Sequence, residues 1–194
     1  MPVRGILFDL DGTLVDSQLD FEAMRREMGL EDDQLILETI EDLSEPRASD
    51  CRAILSRHEQ RGVERSTKIS GVDEMLEWLR AQDLCLGVVT RNSRAAATSM
   101  LSKHGLTFDP VWTREDGPTK PDPWAILESC RRWQFSPREV VMVGDFRFDI
   151  ECGQRAGAYT TYYRPVGDND CGADRVVRSY LECGDWFQWL LALS

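Results

Sequence analysis

The stretch VRGILFDLDGTLVDS, residues 3–17, decides the fold. Val3 to Phe8 is a short apolar run that suits a buried strand. It breaks into Asp9-Leu10-Asp11-Gly12-Thr13, an acidic loop at the strand's carboxyl end. Asp9 and Asp11 are two apart, so unbroken strand geometry would point both to one face. Carboxylates held that close repel each other unless a cation lies between them. Gly12 permits a tight turn or a close backbone approach at this point.

The same arrangement recurs further along. The run LCLGVVT (84–90) reads as a strand that ends at Thr90-Arg91-Asn92, and VVMVG (140–144) as one that ends at Asp145, with Asp149 four residues on. Lys120 lies in the loop GPTKPDP before a helix. Between these points apolar residues recur at helical spacing: Val72, Met75, Leu76 and Leu79; Ala97, Met100, Leu101 and His104, closed by Gly105; Ile126, Leu127 and Cys130; and Trp186, Trp189, Leu190 and Leu193. A short helix is expected over 150–156, and short strands over 110–113 and 158–163. Strands alternating with amphipathic helices predict an α/β fold with a Rossmann-like three-layer core and a mostly parallel sheet. Such sheets bind ligands beyond the carboxyl ends of their strands. Four separate loops at that edge thus carry three acidic centres, a hydroxyl and a lysine.

Residues 18–68 differ in character. They are rich in charge, hold no convincing strand, and show helical periodicity at Phe21, Met24 and Met28, at Leu35, Ile36, Ile40 and Leu43, and at Cys51, Ile54, Leu55 and His58, with a break at Pro46. The expected organisation is an α/β core of residues 1–17 and 69–194 carrying a small inserted all-helical cap, 18–68. The whole chain, 194 residues with 42% hydrophobic and 29% charged, suits one domain with a modest insertion. The six cysteines form no CxxC pair, so zinc-ribbon and redox motifs are not expected, and free thiols point to a reducing cytoplasm. No apolar run approaches a membrane span, and the N-terminus is a poor signal peptide. The net charge of −11 excludes nucleic acid and anionic membrane as partners.

The segment FDLDGTLVDS, Thr90 at a strand end, Lys120 in KPDP and GDFRFD (144–149) resemble, in order, the four motifs of the haloacid dehalogenase-like hydrolase superfamily. The tail Ala173-Asp174-Arg175-Val176-Val177 is similar to its closing segment. The resemblance spans nearly the whole chain and is nearest to the branch of phosphoglycolate phosphatase and β-phosphoglucomutase, in which a helical cap follows the first motif. It implies a Mg²⁺-dependent phosphatase acting on a small phosphorylated metabolite. Asp9 would be the nucleophile that becomes phosphorylated, and Asp11 the acid and then base. The metal would be held by Asp9, the backbone carbonyl of Asp11, and Asp145. Thr90 and Lys120 would bind the phosphoryl oxygens. Arg91 either reaches the phosphate or faces solvent. Asp149 either caps the following helix or steadies Lys120 or a metal-bound water from behind. Ser93 is the better pure cap for the helix after Thr90. Two alternatives stand beside the phosphatase: a phosphosugar mutase of the same family, and a catalytically silent binding protein on this scaffold. Substrate identity and oligomeric state are not encoded in any motif.

Overall fold

The computed structural model describes residues 2–167 and 169–193. Six parallel strands form one sheet: β1 (Gly5–Phe8), β4 (Cys85–Val89), β5 (Val111–Trp112), β6 (Val140–Gly144), β7 (Tyr159–Tyr163) and β8 (Arg175–Val177). Their order is β5-β4-β1-β6-β7-β8, with β1 paired to β4 through Phe8↔Val88 and to β6 through Phe8↔Val143. The strand order reverses at β1, so the loop after it opens at the switch point of the sheet. The α/β, mostly parallel expectation holds.

β1 reads GILF because a central parallel strand is covered on both faces and needs no polar alternation. Ile6, Leu7 and Phe8 are fully buried, each worth about 1.5–3 kcal/mol relative to exposure. Leu7 and Met142 are register partners. They pack with Ala125, Ile126 and Cys130 of α6 (Trp124–Trp133) and Cys152 and Ala156 of α7 (Arg147–Ala156). Ile126 and Cys130, like Cys152 and Ala156, are four residues apart, the spacing of the stripe an amphipathic helix buries. Two further helices of this unit are α4 (Val72–Ala81) and α5 (Arg94–Lys103), and α8 (Gly184–Ala192) ends the chain. Ser93 caps α5, accepting from the Ala96 N–H at 3.2 Å.

Four features differ from the sequence reading. Helix α7 begins at Arg147 rather than Ile150, because Asp149 stabilises its first turn. Residues 175–177, expected only as a closing segment, form edge strand β8. Thr67–Lys68 is a strand, β3, antiparallel to β2 (Val15–Asp16); two-residue pairings are too short to show periodicity. Phe21 is 51% exposed and does not join the apolar face of its helix.

By compactness the chain divides into Met1–Asp16 with Thr67–Ser194, and Ser17–Ser66. The second unit contains α1 (Phe21–Met28), α2 (Ile36–Asp42) and α3 (Arg47–Arg65). Its core is Met24, Met28, Leu30, Ile36, Ile40, Cys51 and Leu55. Asp20 caps α1 by accepting from the Ala23 N–H at 2.8 Å, and Gly29 ends it in the left-handed conformation.

Candidate active site

β4, β1 and β6 are neighbours, so the loops after them open side by side. Asp9 is the first residue past β1, and its N–H still donates to the Val143 carbonyl of β6 at 2.8 Å. Thr90 follows β4, anchored by its N–H to the Trp112 carbonyl at 2.9 Å. Gly144 closes β6, and Asp145 follows.

Lys120 joins these loops. Its Nζ donates to Asp9 Oδ1 at 2.6 Å and to the Val89 carbonyl at 2.7 Å, and it pairs with Asp149 Oδ1 at 2.6 Å. An ammonium has three protons, and all three are used. Lys120 and Asp149 are almost fully buried. Burial opposes the charge on Lys120, but Asp149 and Asp9 outweigh it and hold the ammonium well above the usual lysine range. Asp149 Oδ2 accepts from the Phe146 N–H at 3.0 Å. Asp149 is therefore not the cap residue itself: it sits in the first turn of α7, ties that turn down, and pairs with Lys120.

Asp9, Asp145 and Asp149 each place a carboxylate oxygen within 4.8 Å of the others. Burial, then Asp9 and Asp149, push the Asp145 carboxyl up to about 8. Thr13, fully buried, donates its hydroxyl to Asp145 Oδ1 at 3.0 Å and partly offsets this. Three carboxylates facing one ammonium leave excess negative charge in a nearly dry site. An all-oxygen donor set with that excess suits a hard divalent cation. The backbone fits the crowding too. Gly12 has φ +84°, and a Cβ there would lie inside the Asp145 carboxylate. A Cβ on Gly144 would collide with Asp149 in the same way. Both glycines leave space that only these carboxylates occupy.

The structure thus brings together Asp9, Lys120, Asp145 and Asp149. Asp11 lies in the same loop, bridged to Val15, but is not one of the three clustered carboxylates. The loop turns sharply, with the Gly12 N–H on the Val15 carbonyl at 2.7 Å, so strand alternation does not carry past Asp9. Thr90 is buried, and its Oγ1 accepts from the Asn92 N–H at 3.2 Å. Arg91 does not simply face solvent: its guanidinium donates to the Lys120 carbonyl at 2.8 Å and lies 4.9 Å over the Phe148 ring. Sequence reasoning missed Thr13 and Gly144. Thr13 was visible only as the last residue of the acidic loop, with no periodicity to mark its contact across 132 positions.

A family model described as haloacid dehalogenase-like hydrolase matches residues 6–162. The chain belongs to that family and is a hydrolase of that class. A haloacid dehalogenase-like hydrolase domain-containing protein of Arabidopsis thaliana is 34% identical over 177 residues, covering 85% of this chain and 72% of its own. An N-acetylmuramic acid 6-phosphate phosphatase of Pseudomonas putida is 31% identical, covering 94% and 95%. A solved structure of a predicted phosphoglycolate phosphatase of Haemophilus somnus shares the fold with TM-score 0.76 at 20% identity, covering 96% and 98%. The expected class, a hydrolase whose named relatives are phosphatases, holds at this level. No helix among the described residues is long and apolar enough to cross a membrane.

Proposed function

We propose that the protein is a magnesium-dependent phosphatase that hydrolyses a small phosphomonoester through a phospho-aspartate on Asp9. The observation that carries this reading is the buried Lys120, which holds Asp9 at 2.6 Å beside Asp145 and Asp149. An Asp9 oxygen attacks phosphorus, the ester P–O bond breaks, and Asp11 gives its proton to the leaving oxygen. Water then attacks the phosphorus, the Asp11 carboxylate takes its proton, and inorganic phosphate leaves with Asp9 restored. Magnesium, held by Asp9, the Asp11 backbone carbonyl and Asp145, would neutralise charge between nucleophile and substrate. Asp149 keeps Lys120 in place, and Lys120 keeps one Asp9 oxygen directed. Thr90 supplies a hydroxyl at the phosphoryl position, and Lys120 reaches a phosphoryl oxygen by exchanging one of its present partners. Arg91, by its bond to the Lys120 carbonyl, is a positioning residue for that loop.

The substrate class follows the same logic. A chain of net charge −11 repels anions at long range, so it gains little for nucleic acid or anionic membrane and relies on local cations to hold one small phosphate. Six free cysteines support a reducing cytoplasm as the setting.

The test is phosphate release from a metabolite panel with and without Mg²⁺. Wild type should turn over only with the metal, reversibly on chelation. Asp9→Asn should lose about four orders of magnitude or more, as removal of a covalent nucleophile does. Turnover by Asp9→Asn near wild-type rates would end the assignment.

A further inference from the structure

Tyr180 is 3% exposed, and its hydroxyl has no hydrogen-bond partner among the described residues. A buried hydroxyl left without a partner is costly, so folded proteins give nearly every one a partner. The surroundings of Tyr180 show where that partner belongs. β6 and β7 pair through Gly144↔Tyr162, so the next residues along, Asp145 and Tyr163, lie side by side at the carboxyl edge of the sheet. The Tyr180 ring stacks on Tyr163, with centroids 4.4 Å apart and planes at 14°. From another side the backbone of Gly71 closes on it: a Cβ there would come within 2.8 Å of the Tyr180 carbonyl carbon and 3.0 Å of its Cβ. The Cys183 thiol donates to the Tyr180 carbonyl at 2.9 Å. Ring and backbone are both pinned at the edge where the carboxylates gather.

The charges that reach the hydroxyl are those of the cluster. Burial first, then Tyr163, Asp145, Cys183 and Asp9, hold its phenol well above the ordinary range, so it stays neutral. A neutral phenol adds no charge to a site already in excess of negative charge, and it can both donate and accept. Magnesium keeps several of its waters when bound, and groups behind the direct ligands orient them. We infer that Tyr180 is a positioning residue for the cation site: its hydroxyl takes its partner from the hydrated divalent cation held by Asp9 and Asp145, accepting from a cation-bound water. This inference rests on the magnesium reading of the site and adds a residue to it.

The experiment is calorimetric titration of Mg²⁺ into the full chain, without substrate, for wild type, Tyr180→Phe and Asp145→Asn. The phenylalanine variant keeps the stacked ring and loses only the hydroxyl. Its Mg²⁺ Kd should weaken about tenfold or more, the usual cost of losing a group behind a metal's direct ligands. Asp145→Asn shows which part of the binding belongs to this site. Melting temperature gives a second readout. Without metal, Tyr180→Phe should melt no lower than wild type, since it removes a buried hydroxyl that lacks a partner. A fixed Mg²⁺ concentration should then raise its melting temperature less than that of wild type. Equal Mg²⁺ Kd in wild type and Tyr180→Phe overturns the inference and leaves the magnesium reading standing, whatever the melting temperatures do. Wild type that binds Mg²⁺ no better than Asp145→Asn ends the magnesium reading and the inference with it.

Discussion

In the core unit, Lys120 meets Asp9 and Asp149 at 2.6 Å with its side chain 3% exposed. In the helical unit, Glu27 meets Arg57 and His58 while its side chain is 41% exposed. Both are small networks of charge, but they do different physical work. The core network sits where water is excluded, each member is committed to named partners, and no member can be removed without stranding another. In the helical network Glu27 and Arg57 are open to water, where an ion pair contributes little and its members can be exchanged. Chemistry that must be the same for every substrate is held by the first kind of contact. Contacts of the second kind tolerate exchange of their members.

The sharpest way to break this contrast is Asp11→Asn, which leaves the backbone of the first loop intact and removes only a proton shuttle. Turnover should fall about 10²–10⁴-fold. The loss should shrink for nitrophenyl phosphate, whose leaving group needs little protonation. Equal losses for nitrophenyl and alkyl phosphates in the phosphorylation step would refute the acid role. Next is Lys120→Met. It leaves Asp9, Asp145 and Asp149 facing one another without a cation, so it should destabilise the protein by about 3–5 kcal/mol in urea titration. Arg57→Met in the helical unit should shift the same curve far less. Similar shifts would mean that burial does not separate the two networks. Met24→Ala probes the helical unit where it is buried: Met24 is fully buried among Met28, Ile36 and Leu55. A loss of about 2–5 kcal/mol is expected in that unit. Hydrolysis of a small activated ester should survive better than selectivity among metabolites, and equal loss of both would show that the helices serve the chemistry itself.

The two regions were also unequally legible in sequence. Asp9, Lys120 and Asp145 stood out because each sits where an apolar strand or a Pro/Gly-rich loop stops, and strand ends at one sheet edge must converge. The parallel sheet was legible because β1, β4 and β6 are short uninterrupted apolar runs. Asp149 was readable in two ways, since an acidic residue near a helix start is a cap in most settings; only the buried Lys120 at 2.6 Å separates them. Thr13 and Gly144 were silent, because their roles are contacts across the fold and leave no local pattern. Arg91 was readable as a phosphate ligand or as a solvent-facing side chain, and its use of the Lys120 carbonyl depends on a loop fold no spacing encodes. In the helical unit the Met24, Met28, Ile36 and Leu55 stripe was visible, whereas the pairing of Glu27 with residues about 30 positions away was not.

The smallest expected effect concerns that pairing and its response to acid. The hydrogen bond to His58, then that to Arg57, hold the Glu27 carboxyl below its ordinary value of 4.5, with slight burial acting the other way. A carboxyl whose folded value is depressed contributes stability above its unfolded value and loses it as pH falls through the folded value. The Glu27 contribution is therefore whole at pH 6 and drains away below about pH 4.5. Many carboxylates titrate over that range, so the readout is the difference in melting temperature between wild type and Glu27→Gln rather than either alone. That difference should favour wild type at pH 6 and narrow as the pH falls below 4.5. High salt at pH 6 should narrow it as well, because the pair is exposed and screened. A difference that stays constant from pH 6 to pH 3 would mean that Glu27 acts by packing rather than by charge. The helical unit would then resemble the core in how it is held together, and the contrast between the two regions would fail.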